Sequence, residues 1–103
     1  MRIGVVISSS EPENAWNGFR FANLAAGRGD DVRVFLINSG VECLRDLGRF
    51  DVKTQSDRFQ EKGGKVLGCG TCMATRKIGA VCEISNMDTL YQIVEETDKT
   101  IFF

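Results

Sequence analysis

Arg2-Ile3-Gly4-Val5-Val6-Ile7, closed by Ser8-Ser9-Ser10, decides the fold. No polar residue interrupts the run after Arg2, and β-branched side chains dominate it. That is the pattern of a strand buried on both faces rather than one. The pattern returns at 31–37 (DVRVFLI) and, shorter, at 65–68 (KVLG). Between the first two strands lies a helix signal. Ser10 and Glu13 match a Ser-x-x-Glu capping box, and Pro12 sits in the first turn, where a missing N–H is harmless. Gly27 and Gly29 then close a helix expected over about 11–26.

The remaining segments continue the alternation. Asn38-Ser39-Gly40 reads as a loop, 41–46 as a short helix, 47–53 carries weak signals, and 54–62 reads as a helix stopped by Gly63-Gly64. A helix is expected over 71–77, with Gly79 breaking the pattern, then a short strand over 80–84. Asn86 or Asp88 can cap a helix to about Thr97, and 100–103 is a final strand. Strands alternating with helices predict a single α/β domain over 1–103. Its sheet is mainly parallel, about five-stranded, and covered on both faces as a three-layer α/β/α sandwich. Chemistry in such sheets gathers beyond the carboxyl ends of the strands. Three loops are expected to meet there: Ser8-Ser9-Ser10, Asn38-Ser39-Gly40-Val41, and Cys69 to Cys72.

Gly68-Cys69-Gly70-Thr71-Cys72 carries most of the functional signal. A Cys-x-x-Cys at a strand-to-helix turn places two sulfurs where helix N-terminal amides favour negative charge. Thiolate is the reactive form of cysteine, and such a site lowers the thiol pKa. The flanking glycines keep the approach to Cys69 open. Cys72, nearer the helix start, is expected to gain most from the dipole and to be the working sulfur, with Cys69 as its shielded resolving partner. Gly70, Thr71 and Arg76 are candidate site-lining residues, as are Ser8, Ser9, Gly40 and Val41 across the cleft.

Composition removes other chemistries. The 103 residues are 43% hydrophobic and 26% charged, and 13 basic against 14 acidic residues leave a net charge of −1. That balance points to neither a nucleic-acid nor a membrane partner. The apolar start is too short for a signal peptide or a spanning helix, so the chain is expected in the cytoplasm. There, four cysteines read as reactive or metal-binding thiols rather than a disulfide framework. With no histidine, Cys-His and Ser-His pairs within the chain are excluded. Activation is left to backbone dipoles, to Arg76 or Lys77, or to a partner.

Cys43, Cys69, Cys72 and Cys82 contain one pair with metal-ligand spacing, where a zinc ribbon shows two, so no metal is assigned. Gly68-x-Gly70 is half a dinucleotide fingerprint, with Met73 in the third glycine's place, and no cofactor is assigned either. Cys43 either approaches the site as a further thiol or packs under its short helix; Cys82 is expected in the core. In the first helix, Ala15, Phe19, Ala22 and Ala26 form one stripe, and Trp16, Phe21, Leu24 and Ala25 add a surplus. A subunit interface or a thick core would each absorb it. Charges alternating over 42–65 read as a solvated face or a mobile cover over the cysteines.

Three stretches taken together resemble the DsrE/DsrF/TusD-like family of small sulfur-handling proteins. The segment 15–41 (AWNGFRFANLAAGRGDDVRVFLINSGV) is similar to that family's first helix, second strand and Gly-Val loop. Residues 69–79 (CGTCMATRKIG) resemble its cysteine loop, and 87–103 (MDTLYQIVEETDKTIFF) its closing helix and terminal strand. The resemblance implies a flavodoxin-like sandwich assembling into homo-trimers or hexamers. It also implies a cysteine that carries a persulfide, taking sulfane sulfur from a donor protein and handing it to an acceptor protein. Cys69 and Cys72 both fit the family's position. The leading expectation is therefore a cytoplasmic persulfide carrier, a possible sulfurtransferase. A dithiol redox protein using Cys69 and Cys72, or a non-catalytic oligomeric binding subunit, are the alternatives.

Overall fold

Arg2–Ile7 forms β1, and its apolar run is explained by an inner position, with a parallel neighbour on each side. The computed structural model describes residues 1–45 and 48–103. With β2 (Asp31–Leu36), β3 (Lys65–Cys69), β4 (Glu83–Ser85) and β5 (Lys99–Phe102), β1 makes one parallel sheet in the order β4-β3-β2-β1-β5. Val5 lies opposite Val34 and Ile101, and Val34 opposite Val66, so one apolar row crosses four strands.

Helices α1 (Pro12–Gly27) and α2 (Val52–Glu61) pack against each other, joined by Asn23 Nδ2, which donates to the Gln55 carbonyl (2.9 Å) and to Gln55 Oε1 (3.1 Å). Gly18 of α1 rests on the Ile7 side chain, so alternate residues of β1 point toward this layer. Gly4 points the other way: a Cβ there would stand 2.7 Å from Ile93 Cγ2 of α4 (Met87–Glu96), the helix that covers the opposite face. The three layers follow. Phe19, Phe35 and Phe59 are among the largest fully buried side chains.

Element boundaries differ from expectation for local reasons. The cap of α1 is Glu11, whose carboxylate accepts from Glu13 N (3.1 Å) and Asn14 N (2.8 Å), rather than Ser10. Pro12 restricts the residue before it to extended backbone, so the helix begins at the proline and its cap must be position 11. Ser10 N–H instead donates to Ser39 Oγ (3.2 Å). Helix α2 starts at Val52, two residues before expectation, because the Asp51 carboxylate accepts from Thr54 N (2.9 Å) and Thr54 Oγ1 (2.6 Å). A 3-10 helix, Asn38–Glu42, replaces both the expected loop and the start of the helix expected over 41–46. Asp46 and Leu47 of those expectations lie outside the described residues. The short helix α3 (Gly70–Thr75) ends two residues early, where Lys77 takes a left-handed backbone (φ 54) usually given to glycine. Asn86, not Asp88, caps α4 by accepting from Thr89 N (3.0 Å).

The apolar surplus of α1 is largely absorbed inside the chain. Trp16 meets Phe50 (centroids 5.3 Å apart) and carries the Arg20 guanidinium over its ring at 4.4 Å, while Phe21 meets Phe103 at 6.0 Å. Leu24 alone of that surplus stays open, 58% exposed. The larger uncovered row is elsewhere: Met87, Tyr91 and Val94 share one face of α4, each 49–68% exposed. None of the described helices is long and apolar enough to cross a membrane.

Candidate functional site

β3 delivers Cys69 to the carboxyl edge of the sheet, where the chain turns directly into α3. Cys69 is itself the N-cap: its Sγ accepts from the backbone N–H of Cys72 at 3.3 Å. The expectation that Cys72 gains most from the helix-start amides is corrected. The sulfur bonded by an amide of the helix start is Cys69, because its backbone is still extended (φ −64, ψ 113) and directs its side chain over the first turn. Cys72 sits inside that turn. Its Sγ accepts instead from the backbone N–H of Asn38 at 3.2 Å, across the cleft from the end of β2.

Asn38 holds a left-handed backbone (φ 55), a conformation asparagine adopts more readily than most residues. That kink aims its N–H at Cys72. A second link closes the far end of the same seam. Arg76 Nη1 donates to the Cys72 carbonyl (3.3 Å) and its Nε stands 3.6 Å from Glu42 Oε1, so the 3-10 helix and α3 are joined at both ends. The expectation that the Asn38–Val41 loop and the cysteine loop share one cleft matches this geometry.

The two sulfurs differ in access. Cys69 is 6% exposed, whereas Cys72 is half-buried. Partial burial, and then the hydrogen bond to the Cys69 side chain, push the Cys72 thiol above its ordinary value. The Asn38 N–H and the Arg76 charge act in the opposite direction without cancelling that rise. The expected low pKa at Cys72 is thus corrected. Its sulfur is bonded by the Asn38 amide across the cleft rather than by an amide of the helix start.

The other candidates fall into distinct places. Thr71 is exposed on α3, and Gly70 packs beneath β4, where a Cβ would meet Ile84 and the Ser85 carbonyl. Gly40 is buried against the Ile7 backbone, and Val41 is fully buried, so Val41 belongs to the core rather than to the cleft lining. Ser8 Oγ donates to the Phe103 carbonyl (3.1 Å), and Ser9 Oγ accepts from Glu11 N (3.0 Å). Both hydroxyls serve the chain's own backbone. Cys43 is fully buried, and its burial, then the Cys82 sulfur, push its thiol from 9.0 up to about 12. Cys82 is half-buried rather than in the core, packed against Gly68, and burial followed by Glu83 raises it to about 11. All four cysteines are free thiols. Among the described residues, no three Cys, Asp or Glu side chains converge as a metal site would require.

Asn38 and Glu42 are the site residues that motif reading passes over. A backbone N–H aimed by an unusual φ leaves no residue-type signature, although asparagine directly after a strand is a weak one. A groove of about 620 Å³ runs from Arg2, Arg33 and Lys65 along Leu67 to Ser85, and neither cysteine of the loop lines it. Of the two sulfurs in the loop, Cys72 is the one partly open to solvent. Both cysteines also lie two strands from the β1/β5 boundary where the strand order reverses.

Comparison with known proteins agrees with this architecture. The chain is 32% identical over 113 residues to the uncharacterized protein MK0008 of Methanopyrus kandleri, covering 98% of this chain and 93% of that protein. Its fold is similar to that of a conserved protein of unknown function, BT1422, from Bacteroides thetaiotaomicron. The TM-score is 0.81 at 13% identity, over 99% of this chain and 94% of the other. Across its whole length, residues 1–103, the sequence matches one protein family, and the chain belongs to the DsrE/DsrF-like family.

Proposed function

We propose that this protein is a small sulfur carrier that takes sulfane sulfur onto Cys72 as a persulfide and passes it to an acceptor protein. The observation that carries the reading is the paired sulfur site at the carboxyl edge of the sheet, with a backbone N–H on each sulfur. The Cys72 thiolate attacks the outer sulfur of a donor persulfide. A Cys72 S–S bond forms, the donor's own S–S bond breaks, and the donor sulfur leaves as a thiolate that takes up the proton Cys72 lost. Because the exchange is thiol chemistry throughout, it needs no histidine. A raised thiol pKa lowers the thiolate fraction but raises the nucleophilicity of each thiolate. A partly open thiol suits a protein donor, whose own surface completes the site. Four free thiols support a reducing, cytoplasmic setting.

We extend the proposal to a homo-oligomer, a trimer or hexamer. Its support is the uncovered apolar row Met87, Tyr91 and Val94 on α4. Tyr91→Glu should lower the assembled mass in light scattering; a wild-type chain that runs as an 11.4 kDa monomer at micromolar concentration removes this part. The carrier reading is tested by intact-mass spectrometry of the Cys69→Ser protein after incubation with a persulfide donor. One added sulfur, about 32 mass units, is expected on Cys72, and none in Cys72→Ser. Equal loading of both variants would refute Cys72 as the acceptor.

A further inference from the structure

The second sulfur of the pair has a different surrounding from the first, and that difference assigns it a different task. Cys69 is 6% exposed, shielded from any incoming protein, yet it is bonded to the backbone of Cys72, whose thiol is only half-buried. The Cys72 N–H holds the Cys69 sulfur at 3.3 Å, which keeps that sulfur at the same residue as the Cys72 side chain. A persulfide placed on Cys72 is therefore within reach of an internal thiol before any acceptor arrives.

We propose, resting on the carrier reading above, that Cys69 resolves the Cys72 persulfide and releases its outer sulfur as sulfide. The Cys69 thiolate attacks Cys72 Sγ. A Cys69–Cys72 disulfide bond forms, the bond from Cys72 Sγ to the outer sulfur breaks, and that sulfur departs as HS⁻. The sulfane sulfur is reduced by two electrons, and the two cysteines are oxidised by the same two. The Cys69 proton is released to water or leaves with the sulfide. A thiol reductant, either two equivalents of a low-molecular-weight thiol or one protein dithiol, then restores both thiols.

Closing the S–S bond asks the Cys69 sulfur to turn from the Cys72 amide to the Cys72 sulfur, across one turn of chain. The remaining thiols do not compete. Cys43 is fully buried and its proton is held up to about pH 12, and Cys82 packs on Gly68. Delivery to an acceptor and release as sulfide thus become rival fates of one persulfide, chosen by whether an acceptor docks before Cys69 attacks. The class of reaction this places downstream is one that consumes free sulfide, in addition to one that consumes bound sulfane sulfur.

The test uses reduced, full-length protein under anaerobic conditions with glutathione persulfide as the probe. Sulfide release and intact mass are read for wild type, Cys69→Ser and Cys69→Ser/Cys72→Ser. About one sulfide per chain above the double variant, with a mass lower by two hydrogens, is expected for wild type. Cys69→Ser should hold the added sulfur and release no sulfide. A wild-type chain that keeps the added sulfur without forming the disulfide overturns the resolving step and leaves the carrier reading standing. A Cys69→Ser chain that takes up no sulfur, or that carries a glutathione adduct instead, overturns both.

Discussion

Raising the pH above 9 should destabilise this protein through Cys43, a residue with no part in the sulfur chemistry. Its side chain is fully buried, behind a backbone N–H that donates to the Gly40 carbonyl at 3.0 Å. Burial lifts its thiol from 9.0 to about 12. Below pH 9 the thiol is protonated both folded and unfolded, so it adds no pH dependence. Between 9 and 12 the unfolded chain loses this proton while the folded chain retains it. Stability then falls as pH rises, by about 1.4 kcal/mol per unit. By pH 11 the loss is about 2.7 kcal/mol, a large share of the roughly 5–15 kcal/mol that holds a small domain folded. Urea unfolding followed by Trp16 fluorescence, in reductant from pH 8 to 11, measures it against Cys43→Ala. The variant should start less stable by about 1–2 kcal/mol, from the lost packing. The gap should then close and reverse by pH 11, since the other titrating groups are common to both chains. Stability curves that stay parallel through pH 11 would refute the enclosure of this thiol.

Three further outcomes follow from the geometry. Gly40→Ala should cost about 1–3 kcal/mol, because its Cβ would run into the Ile7 carbonyl oxygen, which is backbone and cannot swing aside. Gly27→Ala, whose Cβ meets nothing within 4 Å, should instead add about 0.5–1 kcal/mol; urea midpoints moving in the same direction would contradict this contrast. Lys77→Gly should stabilise by up to about 1 kcal/mol by relieving the left-handed backbone at φ 54, and a lowered melting temperature would count against it. Iodoacetamide labelling of Cys72 should keep accelerating past pH 9, in line with its raised thiol; a rate that levels off below pH 8 would mean an activated thiolate instead.

The sheet is legible because its evidence is local and repeated. Apolar runs at Arg2–Ile7 and, broken by Arg33, at Asp31–Leu36 have few other uses, and the helix between them leaves the strands parallel. The meeting of the Asn38 and Cys69 loops follows from that parallel order alone. What eludes the sequence turns on backbone angles and on neighbours far along the chain. Ser10 satisfies a capping pattern, but Pro12 moves the helix start past it. Which sulfur receives the helix amide depends on Cys69 remaining extended, and a single residue's difference in where the helix begins exchanges the two roles. The surplus on α1 looks like an interface until Phe50 and Phe103 are seen to cover Trp16 and Phe21. The exposed row on α4 spans Met87, Tyr91 and Val94, and its spacing is as readable as any core stripe; only the packing tells which face is left uncovered.

The central claim, that the Cys69–Cys72 loop takes up sulfane sulfur, meets its most direct test in a stoichiometry. Reduced wild-type protein and the Cys69→Ser/Cys72→Ser double variant are incubated with a persulfide donor carrying radiolabelled sulfane sulfur. Protein-bound label and released sulfide are then counted together. One labelled sulfur per chain is expected for wild type and none for the double variant, whose Cys43 and Cys82 remain in place. Equal uptake by the two proteins, or none by either, would contradict the account.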